Sequence, residues 1–305
     1  YDTLIISVPP GEFSKSREKK QYIENEMMIH GCDRSSVILS FGGGVVGDLS
    51  GFVASTYMRG VSYIQIPTTF LAMVDSSIGG KTAINTDFGK NLVGSFWYPA
   101  LTLIDIDFLS TLSQEHLING LIESLKVFLI RDKLSFEYLL DNKNIVLDKN
   151  NVALIKTIAK SINIKNDIVN EDPNEKNLRM ILNFGHTIGH AIEKLSNYNI
   201  LHGLAVALGI LVEAKISVLL NVLSNNEYEI IERLMVNLNI SIDELKCFDF
   251  NEIIELTRLD KKNSNSTVRY ILLKEIGDVL VDNNTYAHAV DDSIVKASLF
   301  QVCEK

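Results

Sequence analysis

Three of the six histidines of the chain lie close together, in Asn183-Phe184-Gly185-His186-Thr187-Ile188-Gly189-His190 and in Leu201-His202-Gly203. Imidazole nitrogens are common ligands of divalent metals, and a catalytic zinc takes about three protein ligands with one position left open. His186 and His190 stand at i and i+4 on one helix face. Gly185 and Gly189 clear space beside them, so spacing alone favours this pair as ligands. A metalloprotease-like H-E-x-x-H helix is excluded, because Thr187 and Ile188 follow His186. Asn119, Glu123 and Lys126 share a second helical face amid Leu121, Ile122, Leu125 and Val127. By itself a Glu/Lys pair at that spacing reads more simply as a surface salt bridge.

Two further stretches suit anions. Gly42-Gly43-Gly44-Val45-Val46-Gly47-Asp48 fits G-x-G-x-x-G between a predicted strand and a predicted helix. In that context glycines let the backbone approach a pyrophosphate, and the helix N-terminus favours negative charge. A tight strand-to-helix turn explains the glycines equally well. The ribose-binding acid expected about 20 residues on is absent from residues 62–69. Pro67-Thr68-Thr69, Asp75-Ser76-Ser77-Ile78-Gly79-Gly80-Lys81-Thr82 and Gly89-Lys90-Asn91 combine hydroxyls, glycines and two lysines. They suit phosphate or carboxylate, with a solvated hairpin carrying surface lysines as the competing reading. An ATPase phosphate loop is excluded, since the upstream glycine of G-x-x-x-x-G-K-[ST] is missing.

These residues need elements to hold them. Apolar runs at 4–8, 37–41, 63–66 and 101–104 alternate with helical patterns such as 14–30, which predicts a mostly parallel sheet with helices on its faces. After Leu112, Gly and Pro become sparse. Helical spacing predicts helices over 114–130, 152–169, 185–195, 203–220, 227–238 and 291–302, with a late strand at 268–273 pairing with 279–281. The Asn-rich stretches 142–151 and 221–226 read as surface loops. The fold class is therefore α/β plus all-α: an α/β domain over residues 1–112 and a mainly helical one over 113–305, with a ligand cleft between them.

A composition of 46% hydrophobic and 22% charged residues can supply two cores. The net charge of −9, with no basic tail, argues against nucleic acid or an anionic membrane as partner. Local lysines can still gather a small anionic substrate. Cys32, Cys247 and Cys303 are odd in number and far apart, which predicts free thiols in a reducing, cytoplasmic compartment. No run reaches the roughly 18 apolar residues of a membrane span. Residues 204–220 are broken by Glu213 and Lys215 and predict a buried helix. The chain starts at Tyr1, without methionine and in mid-domain pattern, so a fragment is expected.

Taken in order, residues 42–48, Tyr57-Met58-Arg59-Gly60, residues 67–81, Gly89-Lys90-Asn91-Leu92, residues 123–126, residues 183–190, Leu201-His202-Gly203 and Asp260-Lys261-Lys262-Asn263 resemble 3-dehydroquinate synthase over nearly the whole chain. Val8-Pro9-Pro10-Gly11-Glu12 and Ser14-Lys15-Ser16-Arg17-Glu18 resemble in particular the version that forms the first domain of the fungal pentafunctional arom polypeptide. The resemblance implies a Rossmann-like NAD-binding domain followed by a helical metal-binding one. It implies conversion of 3-deoxy-D-arabino-heptulosonate 7-phosphate (DAHP) to 3-dehydroquinate and phosphate in the shikimate pathway, with catalytic NAD and one zinc, cobalt being a substitute.

Carried over by position, the implied metal ligands are Glu123, His186 and His202. His190 then becomes a proton-transfer residue, with Glu175 as a second acid/base. Implied phosphate contacts are Lys81, Asn91, His190 and Lys261, with Arg59 supplied from a neighbouring subunit. Lys165 and Arg179 correspond to carboxylate contacts, and Asp75, Lys126 and Asn183 to hydroxyl and metal-side contacts. NAD contacts correspond to Glu12, Lys15, Gly43, Gly44, Val45, Asp48, Thr68, Thr69, Lys90, Phe108, Leu109, Ser110 and Thr111. A homodimer, and fusion to further shikimate-pathway domains, are also implied. In the family the ribose acid lies on a strand before the point where this chain begins, so a truncated NAD site and an unpaired core strand are expected. A polyol dehydrogenase of the glycerol dehydrogenase type would not need Lys81, Lys165, Arg179 and Lys261 around its substrate. Another sugar-phosphate cyclase, acting on a substrate without a carboxylate, is disfavoured by the pair Lys165 and Arg179.

Overall fold

The computed structural model describes residues 2–258 and 267–304, divided into the units Tyr1–Gly120 and Leu121–Lys305. In the first unit, Ser16 starts α1 (Arg17–Ile29) by accepting the Lys19 N–H at 3.2 Å. β1 (Val37–Gly42) turns through Gly43 into α2 (Gly44–Thr56), followed by β2 (Ser62–Pro67), β3 (Lys81–Thr86), β4 (Gly89–Phe96) and β5 (Leu101–Thr102). β1, β2 and β5 form a parallel sheet in the order β1-β2-β5, with Val37 opposite Ser62 and Ile64 opposite Leu101. Parallel neighbours require a crossover, and α2 supplies it. Its Val53 and Ala54 pack with Met27, Tyr57, Val61 and Tyr63, while Leu49 and Phe52 pack with Ile84. β3 and β4 pair as a separate antiparallel hairpin.

The strand expected at 4–8 does not form. Ile6 and Val8 pack against the two apolar clusters, but Ile5 is 83% exposed and the segment has no regular structure. A strand exists only through its hydrogen-bonded ladder, and none of the described strands pairs with this segment.

α3 (Gln114–Arg131) carries the chain into the second unit. There follow α4 (Lys133–Leu147), α5 (Asn151–Glu171), α6 (His186–Leu195), α7 (His202–Leu219), α8 (Asn225–Asn237), α9 (Asp243–Lys246) and α10 (Phe250–Arg258). Short strands β6 (Arg269–Ile271), β7 (Leu273–Glu275), β8 (Asp278–Val279) and β9 (Ala287–Ala289) precede α11 (Asp292–Cys303). The stretch read as an Asn-rich loop from 142 is instead the end of α4. Phe136, Leu139 and Val146 bury one helical face, and Asn142 Nδ2 donates to Tyr138 O at 2.8 Å. The late strand splits into two, β6 pairing with β9 and β7 with β8. α7 is long and apolar enough to cross a membrane by length and composition, with mean hydropathy 1.7, but 78% of it is buried inside the protein.

Candidate active site

Two helices joined by the loop 196–201 bring the histidines together. α6 and α7 cross so closely that a Cβ on Gly209 would lie 1.9 Å from Gly185 O, and one on Gly189 would lie 3.1 Å from Ala205 O. Gly185 begins α6 at φ 77, a left-handed conformation that suits glycine, and its N–H donates to the buried Glu213 Oε2 at 2.9 Å. The crossing sets His186 and His202, the first residues of α6 and α7, with ring centroids 5.3 Å apart. Their partner comes from α3: Glu123, only 1% exposed.

His186 Nε2 lies 3.8 Å and His202 Nε2 3.6 Å from Glu123 Oε1. These separations are longer than hydrogen bonds. They suit donors that share one ion at about 2.0–2.2 Å each. One donor atom from each of the three residues lies within 4.8 Å of the others. Both rings use Nδ1 elsewhere: His186 with Phe184 O at 3.2 Å, His202 with Glu193 Oε2 at 3.2 Å. That leaves the two Nε2 atoms for Glu123. Lys126, also buried, pairs with the other carboxylate oxygen of Glu123. His190, Glu193 and His202 form a second group within 4.8 Å, but it draws on the Glu193 carboxylate that already engages His202 Nδ1.

Burial alone would lower the pKa of His202. The nearby Glu123 carboxylate and the hydrogen-bonded Glu193 carboxylate outweigh it and push the imidazole up to about 10. Two buried carboxylates thus favour a positive charge on this spot, which is the electrostatics of a cation site. The donor set therefore fits a divalent metal. His190 sits beside the set, its ring 5.3 Å from that of His186 and 6.1 Å from that of His202.

Other expected residues gather on the segment leaving α5. Asp172 accepts backbone N–H groups of Lys176, Asn177 and Arg179 at 2.7–3.1 Å. Desolvation would raise its pKa, but these donors prevail and hold its carboxyl below the ordinary value. The fixed turn places Glu175, at φ 54, so that its Oε1 accepts from Asn183 Nδ2 at 3.1 Å. Arg179 is 1% exposed and donates to Pro173 O at 2.8 Å; Lys165, on α5, is also buried. Lys261 lies outside the described residues.

In the first unit, Gly43 caps α2, and its Cβ position would meet Thr69 Cγ2 at 3.1 Å; that of Gly44 would meet Ser76 Oγ at 3.0 Å. Val45 and Asp48 lie in the first turns of α2, and the Thr68 N–H donates to Gly42 O at 2.9 Å. The turn is thus a cradle that a side chain would fill, next to a helix N-terminus. Lys15 Nζ bonds Asp48 Oδ2 at 2.7 Å and Asn91 Oδ1 at 2.6 Å, with Glu12 at 3.9 Å. Burial holds the Asp48 carboxyl above its ordinary value despite Lys15. Asp75 stands in a π-helical turn, Ala72–Ser76, a rare geometry often found at functional sites. Lys81 and Lys90 lie on the β3–β4 hairpin, and Arg59 is exposed in a left-handed turn at φ 68. Phe108, Leu109, Ser110 and Thr111 form a 3-10 turn in which Phe108 packs edge-on to Phe41 at 5.1 Å.

Sequence reasoning missed Glu193, Glu213 and Asp172. Only Glu193 left a usable signal: it stands at i+7 from His186 and i+3 from His190, on the face of α6 that carries both.

Two family models match the chain, 3-dehydroquinate synthase N-terminal over residues 5–119 and 3-dehydroquinate synthase C-terminal over residues 120–263. A 3-dehydroquinate synthase of Clostridium perfringens (strain 13 / Type A) is 44% identical, over 93% of this chain and 81% of its own length. The pentafunctional AROM polypeptide of Schizosaccharomyces pombe is 40% identical over 95% of this chain, which spans 20% of that polypeptide. Among solved structures, ValA, a 2-epi-5-epi-valiolone synthase of Streptomyces hygroscopicus subsp. jinggangensis 5008 with NAD+ and Zn2+ bound, superposes with TM-score 0.89. It is 27% identical, and the match covers 97% of this chain and 82% of ValA. The chain belongs to the 3-dehydroquinate synthase family.

Proposed function

We infer that the chain is a 3-dehydroquinate synthase, a lyase of the shikimate pathway that converts DAHP to 3-dehydroquinate and phosphate. The observation that carries this reading is the convergence of His186 and His202 Nε2 on one buried carboxylate oxygen of Glu123, in a chain of this family. Residues 1–112 bind NAD through Glu12, Lys15, the Gly43–Gly44 turn, Asp48, Thr68, Thr69, Lys90 and the turn at Phe108. Residues 113–305 hold zinc, or cobalt in its place, on Glu123, His186 and His202. When bound, NAD supplies reversible hydride acceptance, and the metal supplies Lewis acidity toward the substrate's hydroxyl groups.

The remaining work falls to this chain's side chains. Lys165 and Arg179 take the substrate carboxylate, and Lys81, Asn91 and Lys261 its phosphate. Each charge-assisted hydrogen bond contributes about 1.5–3 kcal/mol, which explains cations gathered in an acidic protein. Asp75, Lys126 and Asn183 orient hydroxyls. His190 moves the proton as phosphate leaves, and Glu175 is the second acid/base. Arg59, exposed on its turn, reaches the site of a second copy, so the working form is a homodimer. The three cysteines are free thiols, in keeping with a reducing cytoplasm.

The test is phosphate release from DAHP, with and without NAD, after chelation and after zinc or cobalt is restored. Activity should vanish on chelation and return with either metal. Undiminished turnover by metal-free protein, or net NADH release from a polyol, would overturn the reading.

A further inference from the structure

His202 reaches the metal-side carboxylate from a different helix than His186, across the loop 196–201, and something must fix the angle of its ring. Glu193 is placed to do so. It is 4% exposed, and its Oε2 lies 3.2 Å from His202 Nδ1. A carboxylate there selects the tautomer with the proton on Nδ1. It leaves the Nε2 lone pair directed at a metal and makes that nitrogen a better donor. Glu193 stands on α6, the helix that begins with His186, so one rigid element carries one ligand and the anchor of the other. Its backbone is engaged as well: the carbonyl of Glu193 accepts the Tyr198 N–H and the Ser196 hydroxyl, both at 2.8 Å. Those two bonds close the loop and do not depend on the side chain, so a side-chain substitution leaves the loop's anchorage in place.

We infer that Glu193 is a positioning residue of the metal centre, holding His202 by Nδ1 so that Nε2 faces Glu123. This rests on the reading that Glu123, His186 and His202 hold the metal. The competing role, Glu193 as a ligand together with His190 and His202, makes opposite forecasts. The experiment measures zinc affinity of metal-stripped protein by competition with a chromophoric chelator, and the visible spectrum of the cobalt form. Glu193→Ala should bind zinc roughly 10–100-fold more weakly. Glu193→Gln should fall between it and the parent, because the amide oxygen still accepts the Nδ1 proton. Both should keep the parent's cobalt band positions, since the ligand set is unchanged. Unaltered affinity in Glu193→Ala would overturn the inference. Loss of metal in Glu193→Ala and His190→Ala, with metal retained in Glu123→Ala and His186→Ala, would overturn the ligand reading beneath it.

Discussion

The metal-side donors of the second unit are fixed by partners that stand behind them, whereas the nucleotide-side charges of the first are fixed largely by one another. His186, His202 and Glu123 each engage a further group, Phe184 O, Glu193 and Lys126 respectively, without spending the atoms that converge. Lys15 instead bonds both Asp48, its proposed fellow NAD contact, and Asn91, a proposed contact of the substrate phosphate. A ligand arriving at the first set must exchange partners; one arriving at the second completes a set of donors. Geometry is over-determined at the proposed metal site, and charge is exchangeable at the proposed nucleotide site.

That contrast can be broken most sharply at His202. His202→Ala should lose metal, and phosphate release should fall by several kcal/mol of transition-state stabilisation, roughly a thousandfold or more; metal analysis and a phosphate assay check it. His190→Ala should keep its metal yet slow elimination roughly a hundredfold. If the two variants exchange phenotypes, the ligand assignment is wrong. On the nucleotide side, Gly44→Ala should raise the KM for NAD about tenfold, near 1.4 kcal/mol, with metal content unchanged, because its Cβ position lies 3.0 Å from Ser76 Oγ.

The smallest effect concerns protons. His202 is raised to about 10 in the metal-free protein. A raised imidazole contributes stability that is complete below its ordinary value of about 6.5 and is lost as pH rises through about 10. Metal needs the deprotonated ring, so zinc affinity should climb across that same window, with one proton released by His202 per ion at pH 8. A pH-stat titration checks it; binding at pH 8 without proton release would contradict the electrostatics described for this site.

Helical spacing placed α3, α5, α6, α7, α8 and α11 close to their observed bounds; α5, α6, α8 and α11 bury one stripe, whereas α7 and residues 117–130 of α3 are buried nearly all round. No helix is expected over 133–147, where α4 forms: Asn142 and Asn144 are poor helix formers whose cost the buried Phe136, Leu139 and Val146 offset. The segment at 4–8 has a strand's composition but lacks a paired neighbour, which no local pattern can reveal. In the site, i, i+4 spacing drew attention to His186 and His190. The convergence of Glu123 and His202 depends on a helix crossing and a distant helix. Only family resemblance anticipated that pairing, and local spacing could not. The π-helical turn at Asp75 and the Asp172 clasp on three N–H groups are backbone events with no periodic signature.

The α6–α7 crossing has one more consequence, for how this protein can change over evolutionary time. Gly185, Gly189 and Gly209 carry no side chain with a donor atom, yet they set the spacing between two histidines. A single methyl at Gly209 would overlap the Gly185 carbonyl at 1.9 Å and force the two helices apart. A lineage could therefore lose the reaction through residues that have no chemistry of their own. Conversely, a shift in metal preference is open to it through Glu193 or Lys126 sooner than through the crossing itself.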